Sequence, residues 1–140
     1  MAQLQIQTGR YIITNVKQRT FATLADPNDG TPVSADTEDY VDIAKWNVIR
    51  LANGKYQLQN VGSAQYANVM NRPPVGTTVE GRNTATQWVI QATRVRDQYT
   101  IATTDSRLFW GLVDEEIGTS IELAASATDH RNWWTFTPTR

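Results

Sequence analysis

Apolar and polar positions along this chain alternate with a period of two in short bursts, and the bursts return in a fixed order. A tyrosine stands two residues before an aliphatic side chain at Tyr11/Ile13, Tyr56/Leu58 and Tyr99/Ile101. An aromatic-small-x-aliphatic step follows in "FATL" (21–24), "YANV" (66–69) and "WGLV" (110–113). A Gly-Thr-x-aliphatic step comes next in "GTPV" (30–33), "GTTV" (76–79) and "GTSI" (118–121). Each series ends on a tryptophan with an apolar residue two positions on: "WNV" (46–48), "WVI" (88–90) and "WTF" (134–136). Period-two runs rich in Tyr, Ile, Val, Thr and Trp read as half-buried strands, and the Gly, Asn, Asp and Pro between them as turns. "ANGK" (52–55) predicts a hairpin turn with positive φ at both central residues, the conformation Asn-Gly favours. No stretch carries helical periodicity, and "DTEDYVDIAKW" (36–46) offers room for one helical turn.

The landmarks recur about every 40–45 residues, which divides the chain into repeats of about 9–53, 54–96 and 97–140. Units of this length with four strands build either propeller blades or a β-trefoil. Three blades do not close a propeller of the usual size. Three four-stranded units do close a β-trefoil, a six-stranded barrel capped by three hairpins. The expected architecture is therefore all-β, a single β-trefoil domain over residues 1–140. One unit cannot bury its own apolar face, whereas three can.

Alternation also sorts the second landmark into two faces. With Leu24, Val69 and Val113 pointing inward, Ala22, Ala67 and Gly111 point inward too. Phe21/Thr23, Tyr66/Asn68 and Trp110/Leu112 are then expected outside. An aromatic ring beside an amide suits a sugar: the ring covers the C–H face of a pyranose and the amide serves its hydroxyls. Tyr66 with Asn68 is the best such pair, followed by Trp110 with Asp114 just beyond it. The plainer reading of these aromatics is packing beneath neighbouring loops, since single surface aromatics are common.

Charge narrows the partners. Thirteen basic against fourteen acidic residues leave no electrostatic grip on nucleic acid or an anionic membrane. No cysteine is present, which removes disulfides and thiolate metal sites. The N-terminus lacks the apolar core of a signal peptide and no window is apolar enough to cross a bilayer, so the expected location is cytoplasmic without membrane insertion. No cofactor or metal is expected. His130 is the only histidine. "DEEIG" (114–118) gathers three carboxylates, but adjacent acids in a turn are ordinarily solvated, and glycoside hydrolysis needs two facing each other across a cleft. "DPNDG" (26–30) is explained by turn chemistry better than by a calcium loop, whose ligand spacing and terminal Glu are missing. In "NWW" (132–134), strand alternation turns Trp133 outward if Trp134 is core, as a ligand platform, a partner contact or a residue packed under the N-terminal arm.

"GRYIITNV", "NGKYQLQNVGSAQYANV" and the Gly-Thr-x-aliphatic…Trp steps resemble the ricin-B-type β-trefoils of mushrooms from about Gly9 to Phe136, and within them the small lectin-like trefoils of button-mushroom type. The resemblance implies a non-enzymatic lectin for a mannose-class sugar or a glycoprotein glycan, or an accessory subunit such as accompanies tyrosinase, contacting its partner through outward Trp133, Trp110 and Phe21. It also exposes a departure. Ricin-type sites place Asp at the third residue of the second landmark and Gln two residues before the tryptophan. Here stand Thr23, Asn68 and Leu112, and Ala44, Thr86 and Asn132; by the resemblance Asn68 with Thr86 and Asn83, and Asn132 in the third repeat, are the chemically competent sugar-binding candidates. The chain resembles fungal β-trefoil protease inhibitors as well, in the "YTI…W…GT" wording of its third repeat. That resemblance implies action through a rigid surface loop, for which "ADPNDGTP" (25–32) and "MNRPPVG" (70–76) are the proline-stiffened candidates.

Overall fold

The computed structural model describes residues 5–140. Its strands fall four to a repeat: β1 (Gly9–Asn15), β2 (Phe21–Leu24), β3 (Val33–Asp36) and β4 (Lys45–Arg50); β5 (Tyr56–Asn60), β6 (Tyr66–Asn68), β7 (Glu80–Arg82) and β8 (Val89–Ala92); β9 (Tyr99–Ala102), β10 (Phe109–Gly111), β11 (Glu122–Ala124) and β12 (Trp134–Pro138). Single 3₁₀ turns at Asp42–Ala44 and His130–Asn132 lead into β4 and β12. The first lies inside the acidic stretch that left room for one.

Antiparallel pairing joins β1 to β4, β4 to β5, β8 to β9, β9 to β12 and β12 to β1. The bridge Tyr56↔Trp88 links β5 to the entry of β8 and closes a six-stranded barrel. The hairpins β2–β3, β6–β7 and β10–β11 cap it. At their meeting point the backbone closes a ring: Val33 N–H donates to Val79 O (2.8 Å), Val79 N–H to Ile121 O (2.9 Å) and Ile121 N–H to Val33 O (2.8 Å). All three side chains are fully buried, so the ring satisfies polar backbone where water is absent.

The repeated apolar words fill the interior. Ile13, Leu58 and Ile101, then Trp46, Trp88 and Trp134, are all fully buried. Two of the landmark tyrosines, Tyr56 and Tyr99, are buried as well, and burial raises both phenol pKa values. Tyr56 Oη donates to Ile6 O at 2.6 Å, tying the N-terminal arm to the core.

The 52–55 turn differs from expectation at one residue. Gly54 has φ +84°, but Asn53 does not enter the positive-φ region. Leu51 N–H bonds Lys55 O and Gly54 N–H bonds Leu51 O, a three-residue hairpin loop that needs left-handed geometry only at its last position.

Candidate functional site

The indole N–H groups of Trp46, Trp88 and Trp134 identify equivalent residues in the three lobes. They donate to Ala22 O (2.9 Å), Ala67 O (3.3 Å) and Trp110 O (3.0 Å). The third-repeat counterpart of "FATL" is therefore "FWGL" (109–112), one residue earlier than "WGLV". A slip of one residue reverses every side chain in a strand. Trp110 and Leu112 accordingly point inward and are buried, and Val113, expected inside, is 61% exposed. Trp110 occupies the space that Ala22 and Ala67 leave open. It meets Trp46, Trp88 and Trp134 edge-on, with ring centroids at 6.4, 5.5 and 6.0 Å. Its own buried Nε1–H has no hydrogen-bond acceptor among the described residues.

The polar positions expected to face a sugar are largely spent inside the protein. Thr23 is buried and its hydroxyl donates to Ser34 O at 2.9 Å. Asn132, expected to be accessible, is buried; its Nδ2 donates to Ser126 O at 2.8 Å, and its Oδ1 fills the space where Gly111 would carry a Cβ. Ala44 is fully buried. The Thr86 hydroxyl accepts from Val69 N at 3.0 Å and donates to Val69 O at 3.2 Å. Tyr66 and Asn68 do share the outer face of β6, both half-buried around the buried Ala67. Asn68 Nδ2 donates to Thr84 O at 2.9 Å, leaving the amide oxygen for an outside partner. Of the five expected site residues, then, Tyr66 and Asn68 stand together, Asp114 is exposed on another lobe, and Trp110 and Asn132 are enclosed.

Trp133 is also inside rather than outward, at 2% exposure. It leaves a 3₁₀ turn, where strand alternation does not apply. Its Nε1 donates to Ala127 O (2.8 Å), His130 stacks 4.4 Å from its ring centroid, and the Arg94 guanidinium lies 5.5 Å from it. With Trp110 and Trp133 buried and Phe21 half-buried, the expected aromatic contact patch does not exist. Among the described residues the large exposed aliphatics are instead Met70, Val75, Val113 and Ile117, beside or within the hairpin loops of lobes two and three.

Those loops, 26–31, 72–77 and 114–119, are one turn written three ways. Thr31, Thr77 and Thr119 each donate N–H to the carbonyl three residues back at 3.2 Å, and Gly30, Gly76 and Gly118 hold φ near +90°. Glycine at that position is what a type II turn requires, which explains the Gly-Thr landmark. Two of the loops carry a lock. Asp26 accepts from Thr31 Oγ1 (2.5 Å) and Asn28 N (2.9 Å); Asp114 accepts from Thr119 Oγ1 (2.6 Å) and Glu116 N (3.0 Å). In each case the threonine hydroxyl first, then the backbone N–H, holds the carboxyl below the usual aspartate pKa. The Asp26 carboxylate is thus a turn lock, in keeping with turn chemistry over calcium ligation. The second loop lacks the lock. Arg72 replaces the aspartate at φ +50°, and Thr77 Oγ1 turns back to Pro74 O at 2.7 Å. An Asp five residues before the Thr of the first and third Gly-Thr steps, absent from the second, was the signal available in the sequence.

A closed barrel with three capping hairpins around a pseudo-threefold axis defines a β-trefoil. Solved structures share it at low identity: an agglutinin of Rhizoctonia solani (TM-score 0.89, 21% identity, 99% of this chain and 100% of that one) and the ricin B-like lectin of Macrolepiota procera in complex with lactose (0.87, 20%, 97% and 100%). The designed threefold-symmetric protein ThreeFoil has the same fold (0.86, 16%, 94% and 99%). No curated protein matches the chain. The chain belongs to the peptidase inhibitor I66 family, whose model matches residues 4–139. Among the described residues no helix is long and apolar enough to cross a membrane.

Proposed function

We propose that this protein inhibits an endopeptidase by inserting loop 26–31 into the substrate cleft. The observation that carries the reading is the lock on that loop: Asp26 pins both ends of an exposed Pro27-Asn28-Asp29 tip, on a chain of a peptidase-inhibitor family. Proline and the paired hydrogen bonds remove freedom before binding, so little conformational entropy is lost on docking. Loop 72–77 fits less well. Arg72 has the charge for a trypsin-like pocket, but its left-handed φ and the following Pro73 depart from the extended backbone that a protease cleft receives.

A second reading, a lectin site for a mannose-class sugar, is favoured by Tyr66 and Asn68 sharing an outer face and by the lectins among the structural neighbours. One experiment separates the two. The purified protein is titrated into trypsin, chymotrypsin and papain, and in parallel onto a glycan array. Inhibition with Kd near nanomolar, about −12 kcal/mol, is expected for at least one protease. Asn28→Gly should weaken it about a hundredfold, with Tyr66→Ala and Asn68→Ala without effect. No inhibition, alongside glycan binding that Tyr66→Ala abolishes, would replace the inhibitor reading with the lectin one.

A further inference from the structure

Lobe two departs from its neighbours in charge as well as geometry. Where lobes one and three place Asp26 and Asp114, each satisfied within its own loop, lobe two places Arg72. That side chain lines a recess of about 320 Å³ between loop 72–77 and the β9–β10 hairpin. Pro73, Pro74 and Leu108 supply apolar walls, and Arg107 enters from the hairpin as a second cation. Neither guanidinium forms an ion pair among the described residues. The one acid lining the recess, Asp105, keeps its negative charge: its Oδ1 accepts from Thr103 Oγ1 at 2.7 Å and from Arg107 N at 3.1 Å, and these bonds, with the nearby Arg107 charge, hold its carboxyl below the usual range.

We propose that this recess binds a single oxyanion, a carboxylate or a phosphate, carried on a ring-sized apolar-faced body. Two arginines against one carboxylate leave the recess with an excess of positive charge, and Asp105 lies closer to Arg107 in the chain than to Arg72. Planar forks of N–H donors match carboxylate and phosphate oxygens two at a time, which a neutral ligand cannot exploit. The volume lies at the small end of ligand sites, enough for one ring and its charged substituent. The flanking prolines and leucine cover the face of such a ring. Loss of the aspartate lock then has a counterpart: two prolines stiffen the loop that the aspartate no longer holds, and the arginine is released to the recess. Loop 26–31 takes no part, so this site stands or falls independently of protease inhibition.

The test is NMR titration of the full chain with glucuronate, glucose 6-phosphate and glucose at matched ionic strength. Either anionic sugar should shift the amides of Arg72, Val75, Gly76 and residues 103–108 in a saturable way, and the one that binds tighter names the oxyanion; glucose should not. Arg72→Gln and Arg107→Gln keep the aliphatic stem and a polar end group while removing the guanidinium and its charge. Each should reduce affinity about tenfold or more, and the melting temperature should not change, since neither side chain holds the fold together. Equal shifts with glucose, affinity indifferent to both substitutions, or no saturable shift with either anionic sugar would overturn the proposal.

Discussion

The ring at the threefold axis and the tryptophan layer beside it follow opposite rules. In the ring, Val33, Val79 and Ile121 do the same thing three times, because each backbone N–H needs the next carbonyl and no side chain substitutes for it. In the layer around Trp110 the three lobes differ sharply: two alanines and one tryptophan fill one shared space. Symmetry is enforced where hydrogen bonds must be satisfied locally. Where only volume matters, one lobe supplies it for all three.

The largest test of that contrast is Trp110→Ala. It would make the layer symmetric and leave a cavity among three tryptophan edges, at a cost of about 3–5 kcal/mol in urea unfolding. A loss below about 1 kcal/mol would mean that the neighbours close the gap and that Trp110 is not the plug. Gly81→Ala comes next. A Cβ there would lie 2.5 Å from Leu24 Cδ2 and 2.9 Å from Cδ1, so the cost should be about 1–3 kcal/mol. Leu24→Ala in the same background should recover part of it; absence of recovery would locate the strain elsewhere. The smallest effect concerns the rim. Asp26 and Asp114 have folded pKa values below their unfolded ones, so their contribution is present above the unfolded value and lost as pH falls through the folded one. The double variant Asp26→Ala/Asp114→Ala should therefore be slightly less stable at neutral pH, begin to converge with the parent as pH falls below about 4, and match it once pH is below the folded values. A difference that persists at low pH would show that the locks act other than through their charge.

The same contrast explains which features were legible. Inward words recur because three lobes share one interior, so the barrel, its hairpins and the landmark tryptophans could be read from spacing alone. The third lobe was misread by one residue because Trp110-Gly111 mimics the aromatic-small step of Phe21-Ala22 and Tyr66-Ala67. The distance from the landmark tyrosine, ten residues to Phe21, to Tyr66 and to Phe109, marks the correct register. Trp133 was misplaced because a 3₁₀ turn interrupts the alternation on which its outward reading relied, and Asn132 because its accessibility rested on the resemblance alone. Their burial depends on Ser126 and Ala127 carbonyls in a loop with no periodic pattern to announce it. The paired aspartate locks lay in plain view, but only the threonine hydroxyls reaching them distinguish a built turn from a solvated acid.

The hydrogen-bonded triangle also bears on how the chain reaches its shape. Its corners come from positions 33, 79 and 121, and the first strand pairs with the last. No early segment emerging from a ribosome completes either closure. Such long-separation contacts place folding in the slow class, roughly milliseconds to seconds, with assembly waiting until the third repeat has been made.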